Sequence, residues 1–147
     1  MDGFDRNLGK APGEPPEIFL TLDHQDRART RGEARLSDGT LVRLFLPRGR
    51  PMEDGDLLES SASGRRILVK AAKEDLFLAR AESWEELSRA AYHFGNRHAA
   101  LELGDLFLKF PPDPVLEEMA RRLGLKLERV EEPFRPERAS YHSHGGD

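Results

Sequence analysis

The sequence predicts an α+β protein, with a small all-β N-terminal domain followed by a ferredoxin-like βαββαβ domain. Three observations predict it. Up to about residue 72, short apolar runs are closed by Gly and Asp turn signals, with no helical period. Beyond residue 73, two stretches of helical apolar period alternate with strand-like runs. Their order is strand, helix, hairpin, helix, strand, the split βαβ pattern.

The elements follow in chain order. Residues 1–16 hold Gly9, Pro12, Gly13, Pro15 and Pro16, so a disordered arm is expected there. The N-terminal β domain is expected over 17–72. It opens with a strand at Ile18–Leu22. Next, Asp26–Arg31 places Arg27, Arg29 and Arg31 at period two, which would make one strand face uniformly basic. Ser37-Asp38-Gly39-Thr40 is a turn signal, and Leu41–Leu46 after it suggests a hairpin. A further strand is expected at Arg65–Lys70.

The second domain is expected over 73–134. Asp75–Ala81 is its first strand. Ser83, with Glu86 three residues on, matches a helix capping box. Leu87, Ala90, Ala91 and Phe94 form the apolar stripe of that helix, and Gly95 is its expected stop. Residues 99–103 and 106–110 make a hairpin around Gly104-Asp105. Pro112 and Pro114 precede a second helix with the stripe Val115, Leu116, Met119 and Leu123, stopped at Gly124. Leu125–Val130 is the last strand. Residues 135–147 read as a flexible C-terminal tail.

Composition narrows the function. A net charge of −4 argues against a general nucleic-acid binder and gives no attraction to an anionic membrane. No apolar run approaches the roughly 20 residues that cross a bilayer, and residues 1–17 lack the apolar core of a secretory signal. A cytoplasmic location is therefore expected. The chain has no cysteine, which removes disulfides and thiolate ligands together. Gly-x-Ser-x-Gly, P-loop and His-Glu-x-x-His motifs are missing. Glu85-Glu86 and Glu117-Glu118 are adjacent on helices, face apart and make no acid–base dyad. The chain is therefore not expected to be an enzyme.

Five histidines remain: His24, His93, His98, His142 and His144. Neutral imidazole is a common ligand for nickel, copper and zinc. His93 and His98 lie five residues apart, about 140° around a continuous helix, so they cannot chelate one ion together while the helix lasts. His93 lies beside the apolar stripe, where a packed imidazole is the better reading and a metal role is secondary. His98 falls in the link after the helix; alone it is too weak a site unless another molecule completes it. His142 and His144 form a His-x-His pair that an extended backbone would aim the same way. His24, in Asp23-His24-Gln25-Asp26, reads as a solvated turn. The arginine series Arg27, Arg29 and Arg31 could dock an acidic patch on a partner, or be a solvated face whose charges discourage edge pairing; the second reading is slightly preferred.

One stretch is more specific than any of these. Ala91-Tyr92-His93-Phe94-Gly95-Asn96-Arg97-His98 resembles the signature around the metal-binding histidine of the urease accessory proteins of the UreE type. Supporting similarity lies in Arg27–Gly32, in Leu46-Pro47-Arg48-Gly49, in Asp54–Leu58, in Asp113–Met119 and in Pro133–Glu137. The resemblance runs from about Ile18 to Tyr141.

It implies a nickel-binding metallochaperone that delivers nickel to apo-urease, with zinc or copper able to substitute in vitro. It implies a β domain that contacts partners and a homodimer in which both protomers supply the histidine matching His98. His142 or His144 would be further ligands. The implied partners are apo-urease and urease accessory proteins including its GTPase. Some members carry further histidines before the second helix of the metal domain; here Phe110-Pro111-Pro112-Asp113-Pro114 has none. Others have a long histidine-rich tail, where this chain has two. Low metal capacity follows. An imidazole ligand must be neutral, so loading is expected to weaken below about pH 6.5. The rival reading is a protein-interaction module acting through the β domain, with incidental histidines.

Overall fold

The computed structural model describes residues 1–10 and 12–138. The chain divides between Ala72 and Lys73 into two compact units. None of its described helices is long and apolar enough to cross a membrane.

The first unit contains β1 (Gly3–Phe4), β2 (Arg6–Gly9), β3 (Phe19–Leu22), the one-turn helix α1 (His24–Arg27), β4 (Arg31–Arg35), β5 (Leu41–Phe45), β6 (Leu57–Glu59) and β7 (Arg66–Ala71). They form a three-stranded sheet in the order β1-β5-β4 and a four-stranded sheet in the order β2-β6-β7-β3. The alternation of β5 explains its place: Val42 and Leu44 are buried, while Arg43 and Phe45 are exposed. The core joins Leu20, Val42, Leu44, Leu46, Met52, Leu58, Ile67 and Val69. The expected hairpin forms between β4 and β5 around Asp38-Gly39, with Asp38 accepting the amide of Thr40 at 2.9 Å.

Three expectations for this unit need correction. The disordered arm does not hold for its first ten residues. Phe4 is fully buried in the core, β1 pairs in parallel with β5, and β2 pairs with β6. Asp2 accepts from the hydroxyls of Ser60 and Ser63 at 2.9 Å each, and Asp5 accepts from Ser61. Polar and Gly-rich residues suffice there because a strand added to an existing sheet needs backbone bonds and one apolar anchor. We expect Phe4→Ala to cost about 3 kcal/mol of first-unit stability in a urea melt; a loss below about 0.5 kcal/mol, as for an ordinary surface change, would restore the arm.

The expectation of no helix before residue 72 also fails. Asp23 caps α1 by accepting the Asp26 amide at 2.8 Å. That turn breaks the basic strand face. Arg27 ends α1 and is 3% exposed, its guanidinium donating to the Leu22 carbonyl at 2.8 Å. Arg29 is exposed beyond the helix, and Arg31 opens β4 with its guanidinium 3.9 Å over the Phe45 ring. The three arginines therefore share no strand, and Arg27 belongs to the unit's interior.

The second unit contains β8 (Lys73–Arg80), α2 (Trp84–Asn96), β9 (Glu102–Gly104), β10 (Phe107–Phe110), α3 (Pro114–Arg122) and β11 (Lys126–Pro133). Its sheet is antiparallel in the order β11-β8-β10-β9. This is the ferredoxin-like βαββαβ arrangement expected. Ser83 caps α2, accepting from the Glu86 amide at 3.1 Å, and Glu86 reaches back to the Glu82 amide at 3.2 Å. Leu87, Ala90 and Phe94 of α2 and Leu116 and Ala120 of α3 pack with Phe77, Ala79, Leu108 and Phe110 of the sheet. Val115 departs from its expected stripe: it is 55% exposed. Gly124 takes the left-handed conformation just past α3, at φ 83°, as a helix stop should.

Candidate metal centre

The site is built at the C-terminal end of α2. The helix does not stop at Gly95. It runs through Asn96, and Arg97 is the cap, its amide bonding the carbonyl of Phe94 at 3.0 Å. His98 follows with its amide on the carbonyl of Gly95 at 3.0 Å and with φ at 55°. A helix end of this type usually places glycine in that left-handed position, since a Cβ there is disfavoured. Here an exposed histidine occupies it. A non-glycine residue held in this conformation often marks a site where side-chain direction matters more than backbone ease.

His98 borders a cleft of about 470 Å³, with Arg97, Ala99 and Ala100 on its own side and Pro111, Pro112, Asp113 and Val115 opposite. The wall opposite is thus the stretch that lacks histidines. Among the described residues, Asp113 is the one carboxylate residue lining it, and that side chain is already engaged as the cap of α3. It accepts from the amides of Val115 at 2.8 Å and Leu116 at 3.3 Å. Among the described residues, no group of three or more His, Cys, Asp or Glu residues is placed to hold a metal ion. One chain's described residues therefore present a single imidazole at this cleft.

The other histidines separate from it. His93 sits in the last turn of α2 but is exposed, not packed in the core as expected. Its position on the helix turns it outward beside Tyr92, whose ring centroid is 5.3 Å away in an edge-on arrangement. His24 lies in α1, in the first unit. His142 and His144 lie outside the described residues. Sequence reading missed the cleft, the Asp113 cap and the backbone of His98. Asp113 was recoverable, since Asp before Pro114 at the first helical position is a start signal.

Fold and site together define a two-unit α+β protein whose ferredoxin-like unit presents an exposed imidazole at a helix end. The comparisons with known proteins make this specific. The model of the UreE urease accessory protein N-terminal domain matches residues 4–72, and that of its C-terminal domain matches residues 74–147. The chain belongs to the UreE family. Its similarity to a protein of Burkholderia vietnamiensis (strain G4 / LMG 22486) named urease accessory protein UreE is 44% identity over 131 residues, 87% of this chain and 65% of that one. A protein of the same name from Azotobacter vinelandii is 44% identical over 137 residues, 89% of this chain and 81% of its own length. One from Burkholderia pseudomallei (strain 1710b) is 45% identical over 131 residues, with 64% of its length covered. The chain thus spans a little under two thirds of the length of the Burkholderia relatives.

Proposed function

We propose that this protein is a nickel carrier that takes part in urease assembly, binding the ion and handing it to apo-urease without catalysing a reaction. The observation that carries the reading is His98, an imidazole fixed at a strained helix end beside an open cleft. The relatives' shared name, urease accessory protein, supports the destination. Nickel is the cargo, and imidazole nitrogen suits it.

A single imidazole is a poor ligand set, so the carrier works as a homodimer with His98 supplied from both protomers. Tyr92 and Val115 support this: both are large, apolar and exposed, at 66% and 55%, and Val115 lines the His98 cleft. Exposed apolar surface around a half-site favours self-association about a two-fold axis. His142 and His144 add donors, and His93, solvent-exposed on the same helix, is a secondary ligand. A site of few imidazoles shared between subunits releases metal readily, which suits a donor. Partner proteins, including the GTPase of the urease accessory set, act in the cytoplasm and supply the selectivity that affinity alone would give to copper. The first unit, with Arg29 and Arg31 on its surface, contacts those partners.

Calorimetric titration with nickel tests the reading. The parent should bind one tight nickel per two chains, and His98→Ala should abolish that event while leaving the circular dichroism spectrum unchanged. Unaltered affinity and stoichiometry in His98→Ala would instead leave a pure interaction module.

A further inference from the structure

The cleft at His98 carries a charge that metal binding does not require. Arg97 caps α2 and lines the cleft beside His98. The Cα atoms of the two consecutive residues are about 3.8 Å apart. Arg97 is exposed. Arg80, Arg89, Arg122 and Arg129 of the same unit each pair with a carboxylate. The guanidinium of Arg97 has no carboxylate within ion-pair distance and no hydrogen-bond acceptor among the described residues. Asp113, on the opposite wall, does not neutralise it by contact: that carboxylate accepts the Val115 and Leu116 amides.

Two roles suit such a cation. At the C-terminal end of a helix it meets the partial negative charge of the last carbonyls and steadies the helix. That role needs no cleft. The second role does. A guanidinium stays charged at any working pH, and this one borders the space beside the His98 imidazole. The cleft holds about 470 Å³, and the cube root of that volume is about 8 Å. Like charges within such a space repel in water, and salt removes the effect: the screening length is about 30 Å at 10 mM and about 3 Å at 1 M. In a two-fold dimer the repulsion doubles, since each copy of His98 brings its own Arg97.

We propose that Arg97 sets the affinity of the His98 site: its unpaired guanidinium repels the bound nickel and keeps it exchangeable, while ligating nothing itself. The inference rests on the carrier reading. A carrier has to give its ion away, and a repelling charge beside the ligand weakens the hold without altering the ligand set. The charge acts on nickel, zinc and copper alike, so it leaves selectivity to the partners.

Nickel titration of the full chain at pH 8, where imidazole is neutral, tests this at two salt concentrations. At 10 mM salt, Arg97→Gln should bind nickel at least about fivefold more tightly than the parent. At 1 M salt the two should agree within about twofold. Arg97→Lys keeps the charge and should stay within about twofold of the parent at both. A gain in Arg97→Gln that persists at 1 M salt reports a change of shape, not of charge, and overturns the proposal. Equal or weaker binding by Arg97→Gln at 10 mM also overturns it and leaves Arg97 as a helix-end cation, whose loss lowers only the stability of α2. In both cases nickel binding is still lost in His98→Ala, and the carrier stands. Full binding in His98→Ala overturns the carrier itself.

Discussion

Replacing His98 with glycine should make the metal-free protein more stable while abolishing nickel binding. The backbone at His98 is left-handed, at φ 55°. A Cβ in that conformation costs roughly 1 kcal/mol, and glycine avoids it. His98→Gly should therefore raise the stability of the second unit by about 1 kcal/mol over the parent. His98→Ala removes the same imidazole but keeps the Cβ, so it should lose nickel with no such gain. Amide hydrogen exchange along α2 separates the two variants, because the strain lies at that helix end and exchange reports local opening. Equal protection in the Gly and Ala variants would show that the backbone of His98 stores no strain. The paired outcome matters because it separates two uses of one residue. A histidine retained against a conformational penalty is retained for its side chain.

The largest stability loss should come from Phe94→Ala. Phe94 is fully buried one turn before His98, its ring centroid 5.0 Å from that of Phe110, which stacks on Phe77 at 5.8 Å. Its carbonyl accepts the cap amide of Arg97. Truncation leaves a cavity between helix and sheet and should cost about 4 kcal/mol. That is a large part of the roughly 5–15 kcal/mol available to a domain. Thermal unfolding should show the second unit melting well before the parent, and nickel affinity should fall with it because the end of α2 loses its anchor. A loss below about 1 kcal/mol would mean that Phe94 does not hold this helix end.

Much of this was legible in the sequence. Both long helices, the cap at Ser83 and the sheet between them follow from signals within a few residues. So does the β4–β5 hairpin, through Asp38-Gly39. Part of what the sequence hid depends on partners far along the chain. Phe4 is ordered because β5 and β6, some 40 and 50 residues on, provide edges for β1 and β2. The arginine series looked like a strand because its period was two, but Asp23 wins the backbone locally by capping a helical turn. Gly95 looked like a stop, yet the chain continues one turn and spends its left-handed residue on His98. The course of the chain after β11 was invisible because residues 133–137 have no period, and the Arg135 and Glu137 amides bond Glu102 and Leu101, some 35 residues earlier. The proposed metal site was the least legible part: spacing made His98 one polar residue among several, and only the family signature singled it out.

The central claim is that nickel sits between two copies of His98. Anomalous diffraction at the nickel absorption edge, on crystals grown with the ion, tests it most directly. The account predicts one strong peak per dimer, on the two-fold axis and in bonding contact with both His98 imidazoles. A nickel peak held within a single chain and away from His98 would contradict it.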